Sequence, residues 1–424
     1  MTAPTTPSGY TSEVTSQWWD DAQHETAPEL RWPNNIEVYD KMRRTDAQVM
    51  SVLRAVTLPI RRTAWRLDPN GARDEVVELV AEDLGLPIVG RQTLPPVRAR
   101  DRFSWKEHLY HALLMLPFGH SPFEQVYRIE DGQVRLRKLE WRPPRTISKV
   151  EVAADGGLVA LEQVSSTTGR AARMPVDRLV VYVNDREGGN WLGQSLLRTA
   201  YKPWILKDRM LRVQAQTVDR NGMGVPVYTA SDREIVGESA EDRQRREQQE
   251  VARGQEIASS VRSGQTAGAS LAPGAKLELL GVSGTLPDAT PPIRYYDEQI
   301  ARSVLAHFLN LGTETGSWAL GSTFANFFVE SLQALAGSVA DVATQHVVED
   351  LVDLNWGERE RAPRVVFDAI GSQRDATAEA VKVLIDARAI TPDEPLEDFL
   401  RLAYGLPAAA PSTRQPDVDE QEES

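Results

Sequence analysis

The chain of 424 residues is 41% hydrophobic, carries a formal net charge of -13 and has no cysteine. Its length allows two or three packed units with an ordinary core, and the missing thiols exclude disulfides, Cys-ligated zinc, iron–sulfur clusters and thiol catalysis. The acidic balance excludes a chain-wide attraction to phosphates, and no apolar run approaches the ~18 residues of a membrane helix, nor does the N-terminus carry a signal core; a cytoplasm-like setting without membrane contact is expected.

Residues 1–30, rich in Thr, Ser and Pro, read as a flexible arm. Trp18 and Trp19 within it are costly to leave in water, so the arm is expected to dock on its own or another subunit. Ile36, Tyr39, Met42, Val49, Leu53 and Val56 recur at helical spacing, predicting one helix of about twenty residues stopped by Pro59. ARDEVVELVAEDLG predicts a shorter helix closed by Gly85, and SWKEHLYHALLMLPFG a third ending at Pro117. Past Gly119 the period changes. FEQVYRIE and QVRLRKLEW flank the hairpin pair Asp131-Gly132, TISKVEVA and LVALEQVS flank Asp155-Gly156-Gly157, and RLVVYVND is a fifth strand. A small antiparallel sheet or barrel within a helical frame follows from this.

A helix is predicted from about Ser195 to Asn221, kinked at Pro203 or divided there into two helices, with a basic exposed side of Lys202, Lys207, Arg209, Arg212 and Arg220 against only Asp208 and Asp219. Residues 222–292 are irregular, with strands VPVYTA and KLELLGV around the charged helix SAEDRQRREQQEVARGQEIASSVR. Helical pattern returns in IRYYDEQIARSVLAHFLN, breaks at LGTETGSWALGS, and resumes from Thr323, capped by Ser322-Thr323, to about Asn355. Such a helix spans roughly 50 Å and has Ala336-Gly337-Ser338 as its expected bend. After the strand PRVVFDA come a helix from Ala376 to Ala389, the segment EDFLRLAYGLP and an acidic tail from Pro411.

No constellation supports an enzyme. GSWALGST approximates the phosphate-cradling G-x-x-x-x-G-K-[ST], but Ser322 replaces the lysine and a helix, not a strand, precedes it. An NTP-dependent DNA-processing enzyme built on the Gly316 loop is therefore one alternative, and a cytoplasmic helical scaffold another. His108 and His111 have a spacing that can hold a metal, with His120 nearby, but without Cys or a second carboxylate beside Glu107 they read as satisfied structural groups. No catalytic residue, metal or cofactor is expected.

Four stretches, in this order, resemble a portal protein of the tailed double-stranded DNA bacteriophages. Residues 39–69, YDKMRRTDAQVMSVLRAVTLPIRRTAWRLDP, are similar to the family's opening helix with a central Asp and a Trp-bearing strand. Residues 191–227 resemble its G-x-S-L helix, Gly turn and strand; IARSVLAHFLNLG with the helix to Asn355 resembles its helix, tunnel loop and spine; ITPDEPLEDFLRLAYGLP resembles its close. The resemblance implies a mainly helical α+β portal-type fold with long stem and spine helices, a small antiparallel β wing subdomain and a mixed clip insertion. Mapped onto this chain it gives an arm at 1–30, wing at 31–193, stem helix at 194–221, clip at 222–292, second stem helix at 293–310, tunnel loop at 311–322, spine and return to the wing at 323–371, a crown-like helical region at 372–410 and an acidic tail at 411–424.

The function so implied is a dodecameric ring at one capsid vertex of the virion, a channel for DNA packaging and ejection. Its partners would be the terminase motor, the head-tail connector, capsid and scaffold proteins, and double-stranded DNA held non-specifically. The tunnel loop would present Thr313, Glu314, Thr315, Gly316, Ser317, Trp318, Gly321 and Ser322 to the DNA. Lys202, Lys207, Arg209 and Arg212 would form the stem's basic face, and Arg243, Arg245, Arg246 and Glu250 the clip's partner surface.

Overall fold

The computed structural model describes residues 25–91, 103–165, 167–223, 225–231, 235–260, 270–280, 288–304, 318–370 and 385. All but the last belong to one compact unit that closes at Ile370. The expected arm up to residue 24 with Trp18 and Trp19, residues 305–310 of the second stem helix, residues 311–317 of the expected tunnel loop, the crown-like region apart from residue 385, and the acidic tail lie outside the described residues.

The first expected helix is two, α1 (Asn34–Thr45) and α2 (Ala47–Arg62). Asp46 separates them in an extended conformation, φ -110° and ψ 123°, and its Oδ1 accepts the α2 amides of Gln48 and Val49 at 2.8 and 3.0 Å. An Asp satisfying the orphan donors of a helix start is worth about 1 kcal/mol over Ala. Pro59 does not stop α2, which runs on to Arg62. One missing amide near a C-terminus is outweighed by the buried face of Val49, Val52, Leu53, Val56 and Ile60.

β1 (Trp65–Asp68) and α3 (Asp74–Leu84) follow, α3 closing on Gly85 at φ 63°, as the sequence indicates. α4 (Trp105–Ala112) and the single turn α5 (Met115–Phe118) divide what reads as one helix. The β region is two antiparallel three-stranded sheets rather than one. β2 (His120–Glu130) lies between β3 (Gln133–Trp141) and β7 (Leu179–Val183), while β5 (Leu158–Val164) lies between β4 (Ile147–Val152) and β6 (Ala171–Pro175). Asp131 and Gly132 both take positive φ, 52° and 80°, the geometry a twisted two-residue hairpin demands. β6, largely exposed and without apolar alternation, escapes a pattern-based reading.

α6 (Tyr201–Met223) begins six residues after the expected start, so Pro203 falls in its first turn, where no amide is needed. It packs along α8 (Thr290–Arg302), and between them come the antiparallel pair β8 (Val225–Thr229) and β9 (Lys276–Leu280) and the helix α7 (Ala240–Ser260). α9 (Trp318–Ala343) starts five residues before the expected Thr323. It passes through a π-helical turn at Thr344–Val348 into α10 (Glu349–Trp356). The irregularity in this long helix is that turn rather than Gly337. Thr344 Oγ1 donates to the Ala340 carbonyl at 2.9 Å and accepts the Val365 amide at 3.1 Å, stapling β10 (Arg364–Phe367) to the helix. β10 in turn pairs with β1, Trp65 opposite Phe367.

One core joins α1–α5, β1–β3, β7, α8, α9, α10 and β10 around side chains such as Met42, Ile60, Leu67, Leu116, Phe123, Ile300 and Val339. A second, smaller core of Ile147, Leu158, Leu161, Met174, Leu179 and Val181 underlies the β4–β6 sheet.

Candidate functional site

Three places can bear on function: the α6–α8 pair, the insertion beyond it, and the joint that ties both to the main core. The joint is built by the G-x-S-L residues Gly193, Gln194, Ser195 and Leu196. Gly193 at φ 62° lies against the backbone of Gly119 at φ 87°, so closely that a Cβ on either would overlap the other loop's carbonyl oxygens. Ser195 Oγ donates to the Pro117 carbonyl at 2.6 Å and accepts the Leu197 amide at 3.0 Å, while the Leu196 amide reaches the Leu116 carbonyl at 2.8 Å. The motif is thus a backbone clasp between α5 and the entry to α6.

Lys207 corrects the expected basic face. It is the one buried side chain of α6 between residues 201 and 218, not an exposed cation. Its Nζ lies 2.9 and 3.1 Å from the two carboxylate oxygens of Asp46 and 2.6 Å from Asp297 on α8. Burial pulls the ammonium's pKa down, but the bonds to Asp297 and Asp46 outweigh it and hold the pKa above the ordinary value. Lys202, Arg209 and Arg212 are exposed as expected, Arg212 pairing with Asp208 one turn away at 2.8 Å. A periodicity reading places Lys207 on the solvated side with Lys202, Arg209, Arg212 and Arg220 because charge alone does not reveal a buried counter-ion from another helix; the side chain of Arg220 lies outside the described residues. The Asp46 signal was present as an N-cap residue before Ala47, whereas nothing local marks Asp297.

In the insertion, the expected partner residues are engaged within their own segment. Arg246 makes a bidentate pair with Glu238 at 2.9 Å for each bond, Arg243 meets Glu247 at 3.0 Å and Arg245 meets Asp242 at 3.2 Å. Glu250, also on α7, is intermediate in exposure. α7 rests on the β8–β9 pair through Gly254, its only buried residue, which abuts the ring of Tyr228.

Trp318, Gly321 and Ser322 lie in the opening turns of α9 and not on a loop. Gly321 is therefore within a helix that has already started. The last described element before it is the helix α8, so a strand-borne phosphate cradle has no support here.

Three histidines, His108, His111 and His120, sit against the aromatic and backbone groups of the α4–β2 region. His108 Nε2 is 2.9 Å from the Tyr182 hydroxyl among Phe103, Trp105 and Phe123, and burial pushes its pKa down to about 3. His120 Nδ1 donates to the Leu192 carbonyl at 3.0 Å, with burial lowering its pKa to about 4. His111 stacks on Trp141 at 4.8 Å. No cluster of three metal-ligating residues exists among the described residues.

Three solved structures share the fold at low identity. The virion of a native gene transfer agent particle matches at TM-score 0.53 and 14% identity, over 89% of this chain and 95% of that one. The neck of the empty particle, computed with C6 symmetry, matches at 0.56 and 13%, over 93% and 100%. The neck of the native particle, computed with C12 symmetry, matches at 0.53 and 13%, over 89% and 95%. A family model described as the portal protein of Mu bacteriophage matches residues 36–406, from α1 through the clasp, the α6–α8 pair and α9 to beyond β10, and the chain belongs to that portal family.

Proposed function

We propose that the chain is the repeating subunit of a portal ring at one vertex of a phage-type capsid, a non-enzymatic channel through which double-stranded DNA is packaged and ejected. The carrying observation is the exposure of α6. Its single buried side chain up to residue 218 is Lys207, while Ile205, Leu211, Val213 and Val218 are 41%, 42%, 42% and 65% exposed. A helix left open on so much of its surface, with apolar groups on it, calls for neighbours, and a ring of identical chains supplies two different complementary faces to each subunit.

In this reading α6 and α8 form the stem, 222–292 the clip that meets the terminase motor and the head-tail connector, and 311–322 with the start of α9 the narrowing of the channel. Capsid and scaffold proteins would hold the wing, and the assembled ring would reside in the virion. The net charge of -13 per subunit suits a bore through which DNA slides, since dense cationic contact would trap it by counterion release. Native mass measurement of the purified, assembled particle with negative-stain imaging tests the proposal. A ring with a central hole, of about twelve subunit masses in the portal pattern, is expected; a monomer or simple dimer under assembly conditions overturns it.

A further inference from the structure

Between α2 and the α4–α5 corner lies an open groove of about 400 Å³ lined by Met50, Leu53, Leu58, Tyr110, Leu114 and Pro117. Leu58 and Tyr110 stand 51% and 42% exposed in it. Three arginines edge the groove, Arg43, Arg54 and Arg61. Arg43 is paired with Asp40. Arg61 lies 4.8 Å over the Tyr110 ring, and among the described residues neither Arg54 nor Arg61 meets a carboxylate. The groove is thus apolar at its floor, aromatic at one wall and cationic at its rim.

We infer that this groove is the docking site of the chain's own N-terminal arm, with Trp18 and Trp19 on the apolar floor and Asp20 and Asp21 at the arginine rim. The inference does not rest on the ring. Residues 1–24 contain Glu13, Asp20 and Asp21 and not one Lys or Arg, and their only adjacent pair of large aromatics directly precedes the two aspartates. An indole fills apolar space and stacks on both an aromatic ring and a guanidinium, and the carboxylates then complement Arg54 and Arg61.

The reach is sufficient. The described chain starts at Glu25, whose carboxylate is bound by Arg198. Arg198 is three residues from Ser195, which is hydrogen-bonded at 2.6 Å to Pro117, a wall of the groove. Trp19 precedes Glu25 by six positions, an extended span of up to about 20 Å.

The absence of native cysteine makes the test direct. In the full chain carrying Leu58→Cys, the alkylation rate of the single thiol by iodoacetamide is compared with and without Trp18→Ala and Trp19→Ala. Docking predicts that removing the indoles accelerates alkylation about tenfold or more. Equal fast rates overturn the inference, and so do rates that stay slow in both chains, since another segment such as 371–424 would then be the cover.

Asp20→Lys with Asp21→Lys should also accelerate labelling, and adding Arg54→Glu with Arg61→Glu should restore protection; no restoration overturns the charge pairing. Oxidation of a Gln17→Cys, Leu58→Cys chain should close a disulfide within one chain, seen as a monomer band on a non-reducing gel. A band at twice the mass would assign the groove to a neighbour's arm and overturn the assignment.

Discussion

Lys207 on α6 donates to both carboxylate oxygens of Asp46, at 2.9 and 3.1 Å, and Asp46 is at the same time the N-cap of α2. One carboxylate therefore starts a core helix and holds a helix that is otherwise open to solvent. Asp297, partly exposed, closes the set from α8, so the three charges join α2, α6 and α8 around the buried Lys207–Asp46 pair. Such a cluster adds little net stability against an apolar replacement, but it makes the angle between the three helices hard to change without leaving a charge unpaired.

Lys207→Ala should accordingly lower stability by about 3–5 kcal/mol, the usual result of leaving a buried carboxylate, here Asp46, without its cation. Asp46→Asn keeps a capping side chain and leaves Lys207 with Asp297, so its loss should be smaller, about 1–3 kcal/mol. Urea midpoints of the two variants decide the matter; indistinguishable midpoints for Lys207→Ala and the parent would remove the buried cluster from the account. The pH dependence has a definite sign. Because the folded pKa is raised above 10.5, the lysine's contribution is complete below 10.5 and fades only as pH climbs through the folded value.

The histidines act at the opposite end of the scale. Burial lowers His108 to about 3 and His120 to about 4 from an ordinary 6.5. The unfolded chain then binds protons that the folded chain refuses. Their stabilisation is whole above 6.5 and is lost as pH falls through 6.5 toward 4, each imidazole removing about 1.4 kcal/mol per pH unit. Asp83 and Asp350, raised by burial, pull the other way, so a difference is the proper readout. Stability measured between pH 6 and 4 should fall less steeply by one proton in His108→Phe than in the parent; parallel curves would mean that His108 titrates freely.

What the sequence disclosed follows a physical division. The Gly85 cap, the Asp131-Gly132 hairpin, the strands of both sheets apart from β6, and the α7 and α9 helices come from local patterns: positive φ, alternation, and helical period. The order of four stretches, the opening 39–69 segment, the G-x-S-L stretch, the long helix and the closing segment, carries the resemblance to the portal family. What stayed hidden depends on partners distant along the chain. Lys207 is buried by Asp46, 161 residues away, and the π turn is held by Val365, 21 residues past Thr344. The early start of α9 escaped for a different reason, since the two glycines around Trp318 read as loop formers.

Gly193 and Gly337 should respond oppositely to an added methyl group. Gly193 combines φ 62° with a Cβ direction blocked by backbone oxygens, so Gly193→Ala should cost about 3 kcal/mol or more through overpacking and left-handed strain. Gly337 lies within α9 with open space where a Cβ would go, and Gly337→Ala should stabilise by about 0.5–1 kcal/mol. Thermal unfolding of both variants checks the pair, and a destabilised Gly337→Ala would show that α9 needs flexibility at that point.

The insertion supplies a test that separates folding from partner binding. A side chain on Gly254 would enter the ring of Tyr228, so Gly254→Leu should push α7 off the β8–β9 pair. Among the described residues the main core contains none of this insertion, and the α2–α6–α8 charge cluster lies outside it. Hydrogen exchange should therefore quicken in 225–280 and stay unchanged in α1, α2, β2 and α9. If the insertion is the clip, the same variant should assemble to the parent's mass yet lose binding to a connector or terminase partner. Loss of assembly together with unchanged exchange in the insertion would instead place the subunit contact, rather than the partner surface, on α7.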